Sequence, residues 1–388
     1  MAEDADRFVV RATRPADAGL VAALGAGAFS PEPDRIGWGD WDEDPALIRL
    51  CVQDELSGRL VATAQARLTE QWWGGRPVPA AALAGVAVDL PLRGLGIGRR
   101  LVARLIADAR TAGAQALALI PSTHAFYARL GCGVAGRRPV FRIDTADLLQ
   151  LPAPTRRYSL RDATPADTAD VAALVRARAV RGNGQLEHHT HNGGRHLLVV
   201  DPEGRTVGWV LLGRRAPQRT GGLFTVVVHD LVADDPDAEL AAWRQAVADP
   251  ATARDVEALV APGTLLEHLL PRQVEPVENN TWMLGLLDPA AALASRGYPS
   301  GLRVELALDV DGERLTLSVD GGRGAVRTAD AAAEVDLRMS GALLASVFAG
   351  HTDPLVALAE GRMSGSEAPA SALRGLFAGP AAVLTRPF

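Results

Sequence analysis

The chain has little cysteine and no long apolar run. Cys51 and Cys132 are the only two cysteines among 388 residues, and no CxxC pair occurs. This excludes a disulfide framework and a site in which several thiolates hold a metal. No uninterrupted apolar stretch approaches the length of about 18 residues that a membrane-spanning helix needs. We therefore expect no membrane partner.

A basic excess is also missing. The formal net charge is −6 at pH 7, whereas a general nucleic-acid-binding protein carries a surplus of basic side chains. The opening residues "MAEDADRFVV" include acids where a secretory signal needs a basic start followed by an apolar run. We expect a cytoplasmic protein that binds no nucleic acid. The negative balance is compatible with a cationic substrate.

An internal repeat divides the chain. "RATRPADAGLVAAL" begins at Arg11 and "RDATPADTADVAAL" begins at Arg161, and eight of the fourteen aligned positions are identical. Each segment is typical of a strand end followed by a helix that opens at Pro15 or Pro165. Two alanine-rich helices could match by chance. We interpret the segments as two tandem copies of one domain, since a chain of this length suits two or three domains.

The sequence predicts three domains with mixed α and β structure. The first copy covers residues 1–150 and ends before a linker that contains Pro152 and Pro154. The second copy covers residues 151–287 and includes a hairpin that turns at Glu203-Gly204. The pattern of predicted strands and helices changes in residues 288–388. These residues combine a hairpin around Asp311-Gly312 and a further strand with three helical segments, which predicts a small α+β domain.

A glycine-rich loop, "RGLGIGRR", lies between the strand-like "AGVAVDLPL" and the helix-like "LVARLIADAR". Loops of this kind bind phosphates in three unrelated classes of protein. A Walker loop needs GxxxxGK[ST], and this loop has no lysine. A Rossmann fingerprint needs GxGxxG, but Gly94, Gly96 and Gly98 are followed by Arg99, and no ribose-binding acid stands out about twenty residues on. Both assignments are disfavoured.

The third kind of loop, R/Q-x-x-G-x-G/A, receives the pyrophosphate of coenzyme A, and the segment from Arg93 fits it. Glycines let backbone N–H groups approach a diphosphate, and the following helix adds the positive end of its dipole. Arg99 and Arg100 add positive charge. The alternative is a plain turn before a helix with an apolar face. We predict cofactor contacts from Arg93, Gly94, Leu95, Gly96, Ile97, Gly98 and Arg99.

The segments on either side of the loop suggest further roles. The backbone at Val86, Ala87 and Val88 could bind the thioester arm as an extra strand and polarise the acetyl carbonyl. Downstream, a strand through Ala116–Ile120 is followed by a short helix that carries Tyr127. A tyrosine hydroxyl near the sulfur can protonate the departing thiolate. Tyr127 could instead only pack its ring.

The stretches "VAVDLPLRGLGIGRRL" and "HAFYARLG" resemble the GNAT superfamily of acetyl-CoA N-acetyltransferases. With the repeat and the final "LLASVFAG…LVALAEGRMSG…LRGLFAGPAAVLTRPF", the chain resembles the enhanced intracellular survival (Eis) family within it. The resemblance implies an α/β (α+β) fold. It consists of two fused GNAT domains and a third domain similar to a sterol carrier protein.

The resemblance also implies site residues. Acetyl-CoA would be held by the residues at Val86–Val88 and Gly94–Arg99, with further contacts from Ser122 and Thr123. Tyr127 would be the general acid. The terminal carboxylate of Phe388 would reach the first domain as general base. Members of the family acetylate amines, notably aminoglycosides, and assemble as hexamers. The loop here has more glycine and less arginine than is usual in the family.

The second copy lacks a cofactor loop. After the strand-like "FTVVVHDLV" the segment has no glycine, and four acids occupy the start of the next helix: Asp234, Asp235, Asp237 and Glu239. Their charge would repel a pyrophosphate. At a helix start these acids also complement the helix dipole. We predict that the second copy is a scaffold.

Two other stretches are rich in polar and aromatic residues. "GWGDWDEDP" places Trp38 and Trp41 among acids, which suits a cationic amine but equally suits a solvated loop with two anchoring rings. "LEHHTHNGG" brings His188, His189 and His191 together. Adjacent histidines in a glycine-rich loop are more often exposed than metal ligands. We predict no metal.

The preferred interpretation is an acetyl-CoA-dependent N-acetyltransferase that acetylates a small cationic amine by direct transfer, with no covalent enzyme intermediate. Aminoglycosides are candidates through the resemblance. A homo-oligomer, a hexamer in the family, is expected on the same ground. Two alternatives remain open. The acceptor could be a lysine side chain of a protein or peptide, or the chain could bind coenzyme A or a lipid without catalysis.

Overall fold

The computed structural model describes residues 7–29, 44–187, 194–218, 220, 222–247, 252–330 and 333–385. The first two units each combine a run of consecutive strands with helices, and a smaller α+β unit follows. None of the helices in these ranges is long and apolar enough to cross a bilayer. The predicted fold class, a mixed α/β (α+β) structure, is confirmed.

Within the described residues, the first copy contains six strands and four α-helices. In chain order they are β1 (Phe8–Ala12), α1 (Ala18–Phe29), β2 (Leu47–Asp54), β3 (Leu60–Trp73), β4 (Arg76–Val88), α2 (Ile97–Thr111), β5 (Ala116–Leu119), α3 (His124–Ala128), β6 (Cys132–Asp144) and α4 (Thr145–Leu149). Helix α2 follows the glycine-rich loop as predicted. Its buried side includes Leu101, Val102, Leu105 and Ala109, so the apolar stripe that the sequence shows does face the sheet.

The second copy repeats this order. Its elements are β7 (Ser159–Asp162), α5 (Thr168–Arg181), β8 (Arg195–Val200), β9 (Thr206–Arg215), β10 (Phe224–Ala233), α6 (Pro236–Ala241), β11 (Ala253–Leu259), α7 (Leu265–Leu269) and β12 (Pro276–Leu286). Helix α6 continues as a π-helix over Ala242–Val247. The predicted hairpin at Glu203-Gly204 is the turn between β8 and β9.

The repeated sequence has one structural role in both copies. Arg11 forms an ion pair with Asp17, and the Asp17 carboxylate also accepts the backbone N–H of Arg14. Arg161 and Asp167 make the same ion pair in the second copy. Each aspartate therefore ties a strand end to the short 3₁₀ turn that opens the next helix, and the repeat preserves both partners.

The two copies share a single twelve-stranded sheet with the order β1-β2-β3-β4-β5-β12-β6-β11-β10-β9-β8-β7. Strand β12, from the second copy, lies antiparallel between β5 and β6 of the first. Strand β6 in turn pairs with β11 of the second copy. Each copy therefore places its last strand beside the other copy's fifth strand, an exchange that the repeat alone does not reveal.

The third unit is a small sheet covered by helices. Its elements are α8 (Pro289–Ser295), β13 (Val304–Val310), β14 (Glu313–Asp320), β15 (Arg323–Thr328), β16 (Leu337–Met339), α9 (Gly341–Phe348), α10 (Pro354–Ala359), β17 (Ser364–Gly365) and α11 (Glu367–Leu376). The sheet order is β15-β14-β13-β16-β17. The hairpin predicted at Asp311-Gly312 and the three predicted helices are all present.

Helix α9 packs against the centre of the large sheet and so connects the third unit to it. Gly133 on β6 has no room for a side chain, because an added Cβ would lie 1.9 Å from the carbonyl oxygen of Ala342. Ser346 on α9 donates a hydrogen bond to the Val134 carbonyl at 2.6 Å. One apolar core consequently runs from β4, β5 and β12 into the third unit.

Candidate active site

Strands β4 and β5 differ in length, and β4 continues past the end of β5 toward the glycine-rich loop. They pair in parallel only from Ala80 with Ala116 to Leu83 with Leu119, while β4 continues to Val88. Gly85 has a φ of 62°, and the pairing of β4 with β3 shifts register there, which is a β-bulge. Within the described residues the far edge of β4 therefore faces no strand after Leu83. We call the space beside this edge, beyond the end of β5, the crevice.

The predicted strand residues border this crevice. Ala87 is buried, whereas Val86 and Val88 are half-buried. An edge of this kind leaves backbone N–H and C=O groups that can bond an extended ligand as a further strand would. The backbone at Val86–Val88 is therefore placed where the sequence analysis expects the thioester arm.

The loop after β4 ends in an uncapped helix start. Gly94 and Gly96 have φ values of 87° and 79°, and Gly96 is the N-cap of α2. Gly96 offers no side chain that could cap the first turn of that helix. Nothing lies within 4 Å of the position that a side chain at either glycine would take. These two glycines therefore shape the backbone of an open helix N-terminus, which favours an anion.

Gly98 has a different role from the two glycines before it. A Cβ at this position would lie 3.3 Å from Cγ2 of Val88 and 3.8 Å from Cζ of Phe126. Gly98 thus allows the first turn of α2 to pack against the end of β4. The sequence analysis attributed all three glycines to close approach of a diphosphate, and for Gly98 the structure shows a packing reason.

The arginines of the loop differ in what they contact. Arg93 Nε donates a hydrogen bond to the Val88 carbonyl at 3.1 Å. Arg100 Nη2 donates to the Phe8 carbonyl on β1 at 2.8 Å, so its guanidinium is held at β1. Arg99 is exposed. The Leu95 side chain is 59% exposed, whereas Ile97 is buried in the core below α2.

Tyr127 lies on α3, beside the crevice, and is only 7% exposed. Its ring packs edge-on against Phe126, with 4.8 Å between the ring centroids. Burial raises the pKa of the Tyr127 phenol to about 12, so the hydroxyl keeps its proton at neutral pH. The ring therefore contributes to the core of the first copy. Ser122 and Thr123 are exposed just before this helix.

One side-chain contact near the crevice escaped the sequence analysis. His124, the first residue of α3, forms a hydrogen bond with Thr281 Oγ1 on β12. The two residues are 157 positions apart, and no local pattern links them. The contact fastens the start of α3 to the strand that the second copy inserts into the first, and so connects the Tyr127 helix to the exchanged strand.

Some of the predicted site residues fall outside the described residues. These are the general base Phe388, the substrate residues Trp38 and Trp41, and the histidines His188, His189 and His191. Within the described ranges no group of three His, Cys, Asp or Glu side chains could hold a metal.

The end of the described chain lies over the centre of the sheet. Arg138 on β6 donates hydrogen bonds to the carbonyls of Leu384 and Thr385, at 2.7 and 3.3 Å. Thr385 Oγ1 donates to Gln185 Oε1 at 3.0 Å. The segment is therefore held at β6, which neighbours β12 and, beyond it, β5.

The acids of the second copy have structural partners. Asp235 is the N-cap of α6 and accepts the Ala238 N–H at 2.8 Å. The Asp237 carboxylate accepts hydrogen bonds from the Thr155 N–H at 2.6 Å and from the Tyr158 hydroxyl at 3.1 Å. No glycine-rich turn precedes α6. The second copy therefore lacks the phosphate cradle, by which we mean a glycine-rich loop followed by an open helix start.

Comparison with known proteins agrees with this geometry. The profile of the acetyltransferase (GNAT) family matches residues 20–132, and that of the sterol carrier protein domain matches residues 289–385. An uncharacterized N-acetyltransferase of Streptomyces avermitilis is 30% identical over 323 residues, which cover 75% of this chain and 76% of that protein. The chain belongs to the GNAT acetyltransferase family. This GNAT protein is an acyltransferase enzyme, with N-acetyltransferase activity.

Solved structures share the architecture of this GNAT enzyme across its length. A GCN5-related N-acetyltransferase from Anabaena variabilis has a TM-score of 0.85 at 20% identity, covering 98% of this chain and 100% of that one. Another from Kribbella flavida has a TM-score of 0.83 at 28% identity and covers 98% of each chain. Eis1 from Mycobacterium abscessus has a TM-score of 0.75 at 22% identity, covering 98% and 100%.

Proposed function

We propose that this enzyme transfers the acetyl group of acetyl-CoA to a primary amine of a small cationic molecule, as an Eis-type acetyltransferase. The observation that carries the proposal is the edge of β4 that extends beyond the end of β5, directly before the Gly94–Gly98 loop. A strand edge for the pantetheine arm and an uncapped helix start for the pyrophosphate lie next to each other. The three-part architecture supports the Eis-type assignment.

Binding of acetyl-CoA would use backbone groups first. The first-turn N–H groups of α2 and the positive end of its dipole would face the pyrophosphate, and Arg93 and Arg99 would add charge. The arm would lie along Val86–Val88. The Arg93 side chain donates a hydrogen bond to the Val88 carbonyl. This bond fixes the end of the strand before any ligand binds.

The chemistry is a direct transfer. The amine nitrogen attacks the thioester carbonyl, and the backbone of the Val88 region steadies the oxygen as it becomes negative. The C–N bond forms, the C–S bond breaks, and Tyr127 gives its proton to the sulfur. A base takes the proton that the amine nitrogen loses. The resemblance assigns this role to the terminal carboxylate of Phe388.

The acceptor class is the part of the proposal that needs experiment first. Thiol release from acetyl-CoA should be followed with aminoglycosides, polyamines and lysine-bearing peptides. The chain contains no lysine at all, so an acetyl-lysine signal can come only from the added peptide. We expect release with a cationic small amine. Release with peptides alone would replace the acceptor by a protein lysine.

Two further results would count against the proposal. Coenzyme A binding without thiol release from any amine in the panel would favour a binding role. Absence of coenzyme A binding would mean that the loop has been misinterpreted. The Tyr127→Phe variant serves as the control, because a signal that it leaves unchanged does not come from the proposed site.

A further inference from the structure

The second copy keeps the crevice although it lacks the cradle. Strands β10 and β11 pair in parallel only from Phe224 to Val228, and β10 shifts register against β9 between Val228 and Asp230. The first copy has the same two features at Leu83 and Gly85. Strand β10 therefore continues past the end of β11 just as β4 continues past β5, and space is left beside it.

That space is a cavity of about 230 Å³. Apolar side chains make up much of its wall, among them Val228, Leu259, Leu266 and Trp243. Trp243 is buried and lies on the π-helix that follows α6, a deviation from helical geometry that is frequent at functional sites. The volume is small for a drug-sized ligand and suits a smaller molecule with an apolar body.

Of the two acidic side chains in this wall, Glu239 has the weaker hydrogen bonding to its carboxylate. Its hydrogen-bond partner within the described residues is the Trp243 indole N–H, at a long 3.4 Å. Burial raises the pKa of Glu239. The neighbouring Asp230, by contrast, is paired with Arg178, whose Nη2 lies 3.0 Å from Oδ2. An ammonium group in the cavity would supply the partner that Glu239 lacks.

We propose that the crevice of the second copy is a binding site for a small primary amine with an apolar body, whose ammonium group pairs with Glu239. Coenzyme A is excluded, because the approach to α6 carries acids and has no glycine turn. Val383 and Thr385 close another side of the cavity. Val383 is itself held by a hydrogen bond from its N–H to the Asn183 carbonyl, at 2.9 Å.

Binding of 2-phenylethylamine, measured by calorimetry on the full-length chain, tests this site without any turnover. Wild type should bind the amine, and Glu239→Gln, which keeps the side-chain volume, should weaken binding about tenfold or more. The uncharged 2-phenylethanol should bind wild type and the variant equally. Glu313→Gln changes an exposed glutamate of the third unit and should bind like wild type.

A second variant reports on the cavity itself. Ala261→Phe places a ring in the cavity wall and should abolish amine binding while acetyl-CoA binding at the first copy is retained. Retained acetyl-CoA binding also shows that the variant is folded. Amine binding that neither Glu239→Gln nor Ala261→Phe alters would overturn the proposal, as would a wild type that binds acetyl-CoA but not the amine. If no amine were acetylated, the proposed function would fail, but the calorimetric test of amine binding at the second copy would still be valid.

Discussion

Arg93 Nε donates a hydrogen bond to the carbonyl oxygen of Val88 at 3.1 Å. The bond joins the first residue of the glycine-rich loop to the last residue of β4, across the short turn between them. In the proposed enzyme this bond fixes the position of the phosphate-binding loop relative to the strand edge. The same guanidinium would also face the pyrophosphate.

Replacing Arg93 should therefore weaken acetyl-CoA binding in two ways. We expect Arg93→Ala to raise the KM for acetyl-CoA about tenfold, and Arg93→Lys to recover only part of that loss, since lysine restores charge but not the planar fork. Arg104→Ala is the matched control, because it removes a surface arginine of α2 that pairs with Asp108. An acetyl-CoA KM that is equal in all three variants would contradict this role.

Gly96 should be needed for its backbone conformation. Gly96→Ala forces a φ of 79° on a residue with a side chain, which we expect to cost about 1 kcal/mol of unfolding free energy and to reduce acetyl-CoA affinity. Gly113, at the far end of α2, has a φ of 92° and equally open surroundings. Gly113→Ala should cost similar stability in a chemical denaturation experiment. Its acetyl-CoA affinity should be unchanged, and an equal loss in both variants would remove the special role of Gly96.

Tyr127→Phe should lower kcat by roughly 10²-fold and leave the KM for acetyl-CoA almost unchanged, because it removes a proton donor and keeps the ring. Tyr158→Phe is the control. Tyr158 is also buried, and burial raises its pKa to about 12, but it lies in the second copy beside Asp237. Steady-state kinetics of the two variants would separate a catalytic phenol from a merely packed one.

The pH dependence has a definite sign. Because the pKa of Tyr127 is raised to about 12, the phenol stays protonated, and able to donate, at every pH below that value. The rate should therefore show no alkaline decline caused by Tyr127 up to about pH 10, near the pKa of an ordinary tyrosine. A decline near pH 8 that disappears in Tyr127→Phe would contradict the structure.

The base assigned to Phe388 stays a prediction from the resemblance. Adding one glycine after Phe388 would displace the carboxylate, and we expect kcat to fall roughly 10²-fold. Phe388→Leu changes the side chain but leaves the carboxylate at the same position, so it should retain much more activity. Comparable rates in the two variants would remove the carboxylate from the mechanism.

Arg296 should matter for stability. It is a buried cation, 2% exposed, whose guanidinium carbon lies 4.5 Å from the ring centroids of Phe348 and Phe377. Burial lowers its pKa to about 10, so it remains charged at neutral pH. We expect Arg296→Ala to lower the unfolding free energy by about 3 kcal/mol. Arg303→Ala, at a side chain 87% exposed, should change it little in the same denaturation experiment.

The local features of the fold and site could be predicted from the sequence. The alternation around Asp311-Gly312 predicted a hairpin, and the spacing of Leu101 and Leu105 predicted the buried side of α2; the structure confirms both. The repeat of an arginine followed by a Pro-Ala-Asp triplet is explained by one ion pair made twice, between Arg11 and Asp17 and between Arg161 and Asp167. Such features depend on residues within about one helical turn or one hairpin.

Other features needed the tertiary structure. The role of Gly98 depends on Val88, which reaches it only after the chain has turned. The contact of His124 with Thr281 and the binding of Arg100 to the Phe8 carbonyl join residues that are far apart in sequence. No periodicity encodes such pairs.

By itself, the sequence determined several of the strands and helices, where the glycine-rich loop lies, and that one copy has that loop and the other does not. Only the tertiary structure decided that β12 lies between β5 and β6, and that the second copy retains an apolar cavity lined by Glu239. The reason is physical. Hydrogen bonds and side-chain periodicity act over a few residues, whereas strand order and cavities arise from long-range packing.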